Sequence, residues 1–239
     1  MHQHTSSLMD IHGKPKFGYF DQAVTSLGVE QFEYLNEMDK PVSKLRKYFS
    51  FKQFQFISLV SSEWVIGIAL ADIRYVGSGF CYLYNVKTNE LQEYSWLKPL
   101  GIGYQLASSP FCGEALVQSS DFKVQINIVN GLWHILLNHP NIVADLQLQP
   151  PYPDEPLAMC TPTGYSGWTY TQKHNALNIA GSLIINGVSQ DVKSFLGGYD
   201  FSAGFMRRET SWRWASINGL VGDDRLGLNL AAGVNETGS

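Results

Sequence analysis

The sequence predicts an all-β protein. Three observations carry this: apolar residues recur with a period of two in window after window, Asn-Gly dipeptides sit between apolar runs, and no window sustains a helical period. In Phe51 to Ile57, Phe54 and Phe56 alternate with Gln53, Gln55 and Ile57, as in a half-buried strand. Trp64, Ile66, Ile68 and Leu70 then share one face, with Val65, Gly67, Ala69 and Ala71 on the other. One large face and one small face suit a strand covered on both sides. Phe80, Tyr82 and Tyr84 alternate with Cys81 and Leu83.

The clearest hairpin runs from Lys123 to Asn138. Val124, Ile126 and Ile128 alternate with Gln125 and Asn127, Asn130-Gly131 turns, and Leu132 to Leu137 returns. Asn-Gly favours a type I′ turn, whose twist matches the flanking strands. Asn186-Gly187 and Asn218-Gly219 repeat the turn signal. Gln31 to Tyr48 is the best helix candidate, split by Pro41. Gln149 to Pro156 holds four of the ten prolines, so it is a linker or crossover and not a central strand. A boundary is therefore expected there, giving an N-terminal β domain over residues 1–155 and the start of a second over 156–239.

Composition narrows the function classes. The 239 residues are 44% apolar but only 16% charged, against about 25% in an average soluble protein. A net charge of −4 offers no basic field for nucleic acid. The longest apolar run, Val65 to Ala71, is far short of the ~20 residues a membrane helix needs, so no integral membrane segment is expected. Cys81, Cys112 and Cys160 have no close spacing and read as reduced thiols. With no secretion signal at Met1 to His4, a cytoplasmic location is expected. No metal site and no cofactor are expected, and the oligomeric state is left open. Gly164-Tyr165-Ser166-Gly167 lacks the spacing of a nucleophile elbow, and Gly101-Ile102-Gly103 precedes no helix.

Two segments are dense in functional residue types. From Gly164 to His174, Trp168, Tyr170 and Gln172 alternate with Thr169, Thr171 and Lys173, an aromatic face against a polar one. From Tyr199 to Trp214, Asp200 is followed by Arg208, Trp212 and Trp214. Trp168, Tyr170, Tyr199, Trp212 and Trp214 would wall a pocket for a small apolar molecule, with Lys173, His174 and Arg208 as its polar groups. Asp200 against tryptophans would be a general acid, its carboxyl raised by desolvation. A purely structural reading stands beside this one. An arginine stacked on a tryptophan is a common packing contact, and Asp200 could simply pair with Arg207 or Arg208.

Gly164-Tyr165-Ser166-Gly167-Trp168, Lys173, Asp200, Gly204, Arg208, Thr210 to Ser216, Gly227-Leu228-Asn229-Leu230 and Gly233 to Glu236 resemble a bacterial family of uncharacterised lipocalin-like proteins. Lys14 to Gly18 and Tyr75 to Phe80 carry the same likeness. More remotely, Gly198-Tyr199-Asp200 with Gly204, and the pair Trp212 and Trp214, are similar to the lipocalin-like relatives of hydroxyneurosporene synthase, the carotenoid 1,2-hydratase. Phe201 stands where that signature has its histidine.

The resemblance implies two lipocalin-like antiparallel barrel or sandwich domains, the second truncated and therefore exposing unpaired strand edges. It also implies binding of an apolar lipid or isoprenoid-like ligand, with acid-catalysed hydration, isomerisation or cyclisation as the associated chemistry. A non-catalytic carrier or sensor of a hydrophobic molecule, and an interaction module whose tryptophans are only core, are the rival expectations.

Overall fold

The computed structural model describes residues 5–21, 23–150, 155–207 and 213–233. Its elements in chain order are β1 (Thr5–Ser7), β2 (Gly18–Tyr19), β3 (Ala23–Ser26), α1 (Lys44–Ser50), β4 (Lys52–Val60), β5 (Trp64–Asp72), β6 (Val76–Asn85), β7 (Glu90–Pro99) and β8 (Tyr104–Gln105). There follow β9 (Gly113–Gln118), β10 (Lys123–Val129), β11 (Leu132–His139), β12 (Ile142–Gln149), β13 (Leu157–Thr163), β14 (Gly167–Ile185), β15 (Val188–Ser189), β16 (Leu196–Gly204), β17 (Arg213–Val221) and β18 (Asp224–Ala232). The all-β expectation is met.

A 14-stranded antiparallel sheet forms the body, its main path running β7-β6-β5-β4-β16-β14-β12-β11-β10-β9-β8. Strands from both sides of residue 155 interleave in it, because β16 pairs with β4 and β14 pairs with β12. The sheet curls until its ends nearly meet. Trp96 of β7 packs 4.2 Å from Phe122, Tyr94 packs 4.0 Å from His139, and Asn141 Nδ2 donates to Tyr94 Oη at 2.6 Å. At the other end, Tyr104 of β8 donates to Asp72 of β5 at 3.0 Å. The result is a nearly closed barrel, the architecture expected of a lipocalin-like chain.

Alternation decides what fills it. Ile57, Leu59, Ile66, Ile68, Leu83, Ile126, Ile135 and Leu146 point inward and are buried. Trp133 stacks on Tyr199 at 4.3 Å and 14° across this interior. The small outer face of β5 is covered from β6: the Tyr82 ring lies where a Cβ on Gly67 would be, 2.3 Å from it. Only glycine permits that approach.

The Asn-Gly signals divide. Asn130 and Gly131 have φ of 52° and 77° between β10 and β11, and Asn186 and Gly187 have φ of 49° and 79° between β14 and β15. Both are hairpin turns as expected. Asn218-Gly219 lies inside β17 instead, because the Asn218 side chain is recruited by another strand. Among the described residues, α-helix is confined to α1, after Pro41, where the Ser43 hydroxyl accepts the Arg46 N–H, and Val192–Ser194 adds one turn of 3-10 helix. Half of the proline-rich segment, residues 151–154, lies outside the described residues.

A second, small sheet is the hairpin β17–β18. Its inner face (Trp214, Ser216, Asn218, Gly227, Asn229) lies against β14 and β16. On its outer face Ile217, Leu226, Leu228 and Leu230 are exposed.

Candidate functional site

The site is built on one irregularity in β14. Over residues 169–174 this strand pairs regularly with β16, and pairing resumes at Leu177 after a register shift. Asn175 and Ala176 form the bulge, with Ala176 in the left-handed region at φ 58°. The backbone N–H of Ala176 has no ladder partner and donates to Asn218 Oδ1 at 2.7 Å.

The hairpin docks on that bulge through amides. Asn175 Nδ2 donates to Ser216 Oγ (2.7 Å), Ile217 O (3.1 Å) and Asn218 Oδ1 (3.1 Å). Asn229 Nδ2 donates to Asn175 Oδ1 at 3.0 Å, and Asn218 Nδ2 donates to Ser58 Oγ of β4 at 3.0 Å. Gly227 makes the closeness workable, since a Cβ there would sit 3.0 Å from Asn175 Cβ. These buried polar groups are hydrogen-bonded, as burial requires.

Beside the bulge, the outer face of the barrel carries a polar row. Register places Lys173 of β14 opposite Asp200 of β16, and Asp200 opposite Phe56 of β4. Lys173 Nζ donates to Asp200 Oδ2, with both side chains under a tenth exposed. Ser202 Oγ (2.9 Å) and Thr171 Oγ1 (3.5 Å) donate to Asp200 Oδ1. Trp214 roofs the row: Lys173 Nζ lies 5.0 Å from its ring centroid, and the ring meets Phe56 edge-on at 5.1 Å. Trp214 Nε1 donates to Asn229 Oδ1 at 2.8 Å.

A cavity of about 360 Å³ opens between β14, β13 and the hairpin. Lys173, His174, Asn175 and Ala176 line one side, Arg225, Gly227 and Asn229 another, and Glu155 and Leu157 the rim. That volume lies in the range of small-molecule sites, and the lining is chiefly polar.

The predicted residues therefore separate by strand parity. Lys173, Asp200 and Trp214 come together, and Lys173 and His174 reach the cavity wall. Asp200 does not line the cavity; Lys173 stands between them. Trp168 and Tyr170 face the opposite way and are fully buried. Trp168 packs among Phe32, Phe51 and Phe205, and Tyr170 against Phe20 at 5.8 Å. Tyr199 also points inward, where Gln172 Nε2 donates to its oxygen at 2.7 Å; burial pushes its phenol well above the usual tyrosine range. Burial does the same to Tyr170. Arg208 and Trp212 lie outside the described residues.

Asn175, Ala176, Asn218, Arg225 and Gly227 were not singled out as site residues. The signals in the sequence are Gly227, which falls in a stretch carrying the family resemblance, and the Asn218-Gly219 pair, which reads locally as a turn. Among the described residues no group of three or more His, Cys, Asp or Glu side chains is arranged to hold a metal ion, and no helix is long and apolar enough to cross a membrane.

The family described as a domain of unknown function (DUF2804) matches residues 2–239. No curated protein matches the chain. Solved structures that share partial likeness include the following two. An AttH-like protein from Nitrosomonas europaea is 13% identical with a TM-score of 0.43, over 69% of this chain and 56% of that one. Kievitone hydratase from Nectria haematococca is 15% identical with a TM-score of 0.46, over 69% of this chain and 51% of that one. The chain thus spans just over half the length of each.

Proposed function

The chain belongs to the DUF2804 family, and within it we propose that the cavity beside the β14 bulge binds a small molecule, with the Lys173–Asp200 pair as its reactive or orienting element. One observation carries the reading. A buried ion pair is costly unless it is well hydrogen-bonded, and this one sits at the wall of a cavity, not in the sealed core. The ligand is amphipathic: a polar end meets Lys173, His174, Arg225 and Asn229, and an apolar part runs along Leu157. This narrows the wholly apolar lipid or isoprenoid of the sequence reading.

Acid-catalysed hydration, isomerisation or cyclisation is the chemistry proposed for such a ligand. Lys173, which reaches the cavity, is then the proton donor, and Asp200 is a positioning residue behind it. A carrier or sensor is the second reading. It is favoured by the Asp200 carboxylate, whose oxygens are occupied by Lys173, Ser202 and Thr171.

Mass spectrometry of small molecules co-purifying with the protein tests both. Leu157→Trp, which fills the rim, is expected to abolish co-purification; an unchanged profile would reject the cavity as the site. A compound retained in Lys173→Met but converted in the wild type would favour catalysis. The same compound in both would favour carriage.

A further inference from the structure

Counting which hydrogen-bonding groups remain unspent around the cavity says what it would receive. Asn175 spends its Nδ2 on Ser216, Ile217 and Asn218 and its Oδ1 on Asn229. Asn229 gives one Nδ2 proton to Asn175 and accepts the Trp214 indole N–H at Oδ1, which leaves one amide N–H for a ligand. The Asp200 carboxylate does not line the cavity, and its oxygens are taken by Lys173, Ser202 and Thr171. Arg225 is different. Its guanidinium has no hydrogen-bond or ion-pair partner among the described residues, although Asp223 and Asp224 precede it directly. Strand alternation turns Asp224 to the opposite face of β18.

The unspent capacity is therefore donor-rich. Arg225 offers five N–H groups in a planar fork, and Lys173 has ammonium protons beyond the one given to Asp200. Among the described residues, Glu155 is the one carboxylate in the wall. Resting on the reading of this cavity as a ligand site, we infer that its ligand is an organic monocarboxylate, gripped by Arg225 with Lys173 behind it and its apolar part along Leu157. The planar fork of arginine matches a carboxylate bidentately, and such charge-assisted bonds are roughly twice as strong as neutral ones. Glu155 limits the charge, because a dianion would be brought against it.

Isothermal titration calorimetry with decanoate, decanol and decyl phosphate tests the inference. The wild type is expected to bind decanoate at least tenfold more tightly than either of the others. Arg225→Gln should bring decanoate within about threefold of decanol and leave decanol unchanged. That exposed side chain bonds to nothing described, so the variant should keep the wild-type melting temperature. Leu157→Trp should weaken both ligands. Decanol binding as tightly as decanoate, with both lost in Leu157→Trp, would overturn the carboxylate inference and leave the cavity reading standing. Tighter binding of decyl phosphate overturns it too, as does no binding of any of the three. Decanoate binding indifferent to Leu157→Trp would overturn the cavity reading itself.

Discussion

Lys173 and Trp214 meet across two sheets: the ammonium of β14 lies 5.0 Å from the centre of an indole carried by the β17–β18 hairpin. This contact, with the Asn175–Asn218–Asn229 bonds, holds the small sheet to the barrel. The cavity exists because the hairpin is held there. Polar docking and the cavity wall are thus one arrangement, and each can be tested separately.

The ion pair beneath Trp214 should respond asymmetrically. Lys173→Met leaves a buried carboxylate with only hydroxyl donors, and Asp200→Asn leaves a buried ammonium. Each is expected to cost about 3–5 kcal/mol. Lys173→Met/Asp200→Asn should cost clearly less than the sum of the two. Chemical denaturation of the three variants checks this, and additive losses would show that the pair is not coupled.

Asn218 is the peg of the hairpin. Asn218→Ala leaves the Ala176 N–H unsatisfied and removes the bond to Ser58, at roughly 1–3 kcal/mol for the buried N–H. Hydrogen exchange should then show lost protection in β17 and β18 with β10 to β12 unaffected. A two-stranded ribbon has little stability of its own. Equal loss throughout would mean that hairpin and barrel unfold as one unit.

His139 makes the barrel seam sensitive to acid. Burial beside Tyr94 and Phe122 holds its imidazole below the usual 6.5, with Asp121 opposing the effect, and its Nδ1 accepts the Asn141 N–H. The unfolded chain binds a proton that the folded one resists, so stability contributed here is complete above about pH 6.5. It is lost as pH falls from there towards the lower folded value. The melting temperature of His139→Phe should fall less than that of the wild type between pH 7 and pH 5. Parallel curves would exclude this residue as the cause.

The three cysteines should divide by accessibility. Burial pushes the Cys81 and Cys160 thiols up to about 12, while Cys112 is exposed. A thiol reagent at neutral pH should label Cys112 alone in the native protein and all three after denaturation, since the thiolate is the reacting form. Native labelling of Cys81 would show that β6 opens.

Packing across the barrel interior gives the last expectation. Trp133→Ala removes a fully buried indole stacked on Tyr199 and should cost about 3–5 kcal/mol. Because this stack is on the inner face, ligand binding at the outer cavity should persist in the folded fraction. Loss of binding without loss of stability would link the two faces.

By itself the sequence determined the β class, two of three Asn-Gly turns, and the alternation that sets Trp168 and Tyr170 on one face and Lys173 on the other. These are local properties, fixed by a two-residue period and by which residues tolerate positive φ. Local pattern also made Lys173, Asp200 and Trp214 candidates. Only the tertiary structure decided which face of β14 would be the site and what would complete it. The aromatic face, chemically the more suggestive, is buried against Phe32, Phe51 and Phe205 because the barrel needs an interior. Asn218 gave the signature of a turn, yet 42 residues of separation from Ala176 are closed by one hydrogen bond. A bulge depends on how strands pair across the sheet, and pairing between distant segments leaves no mark in the sequence of either one.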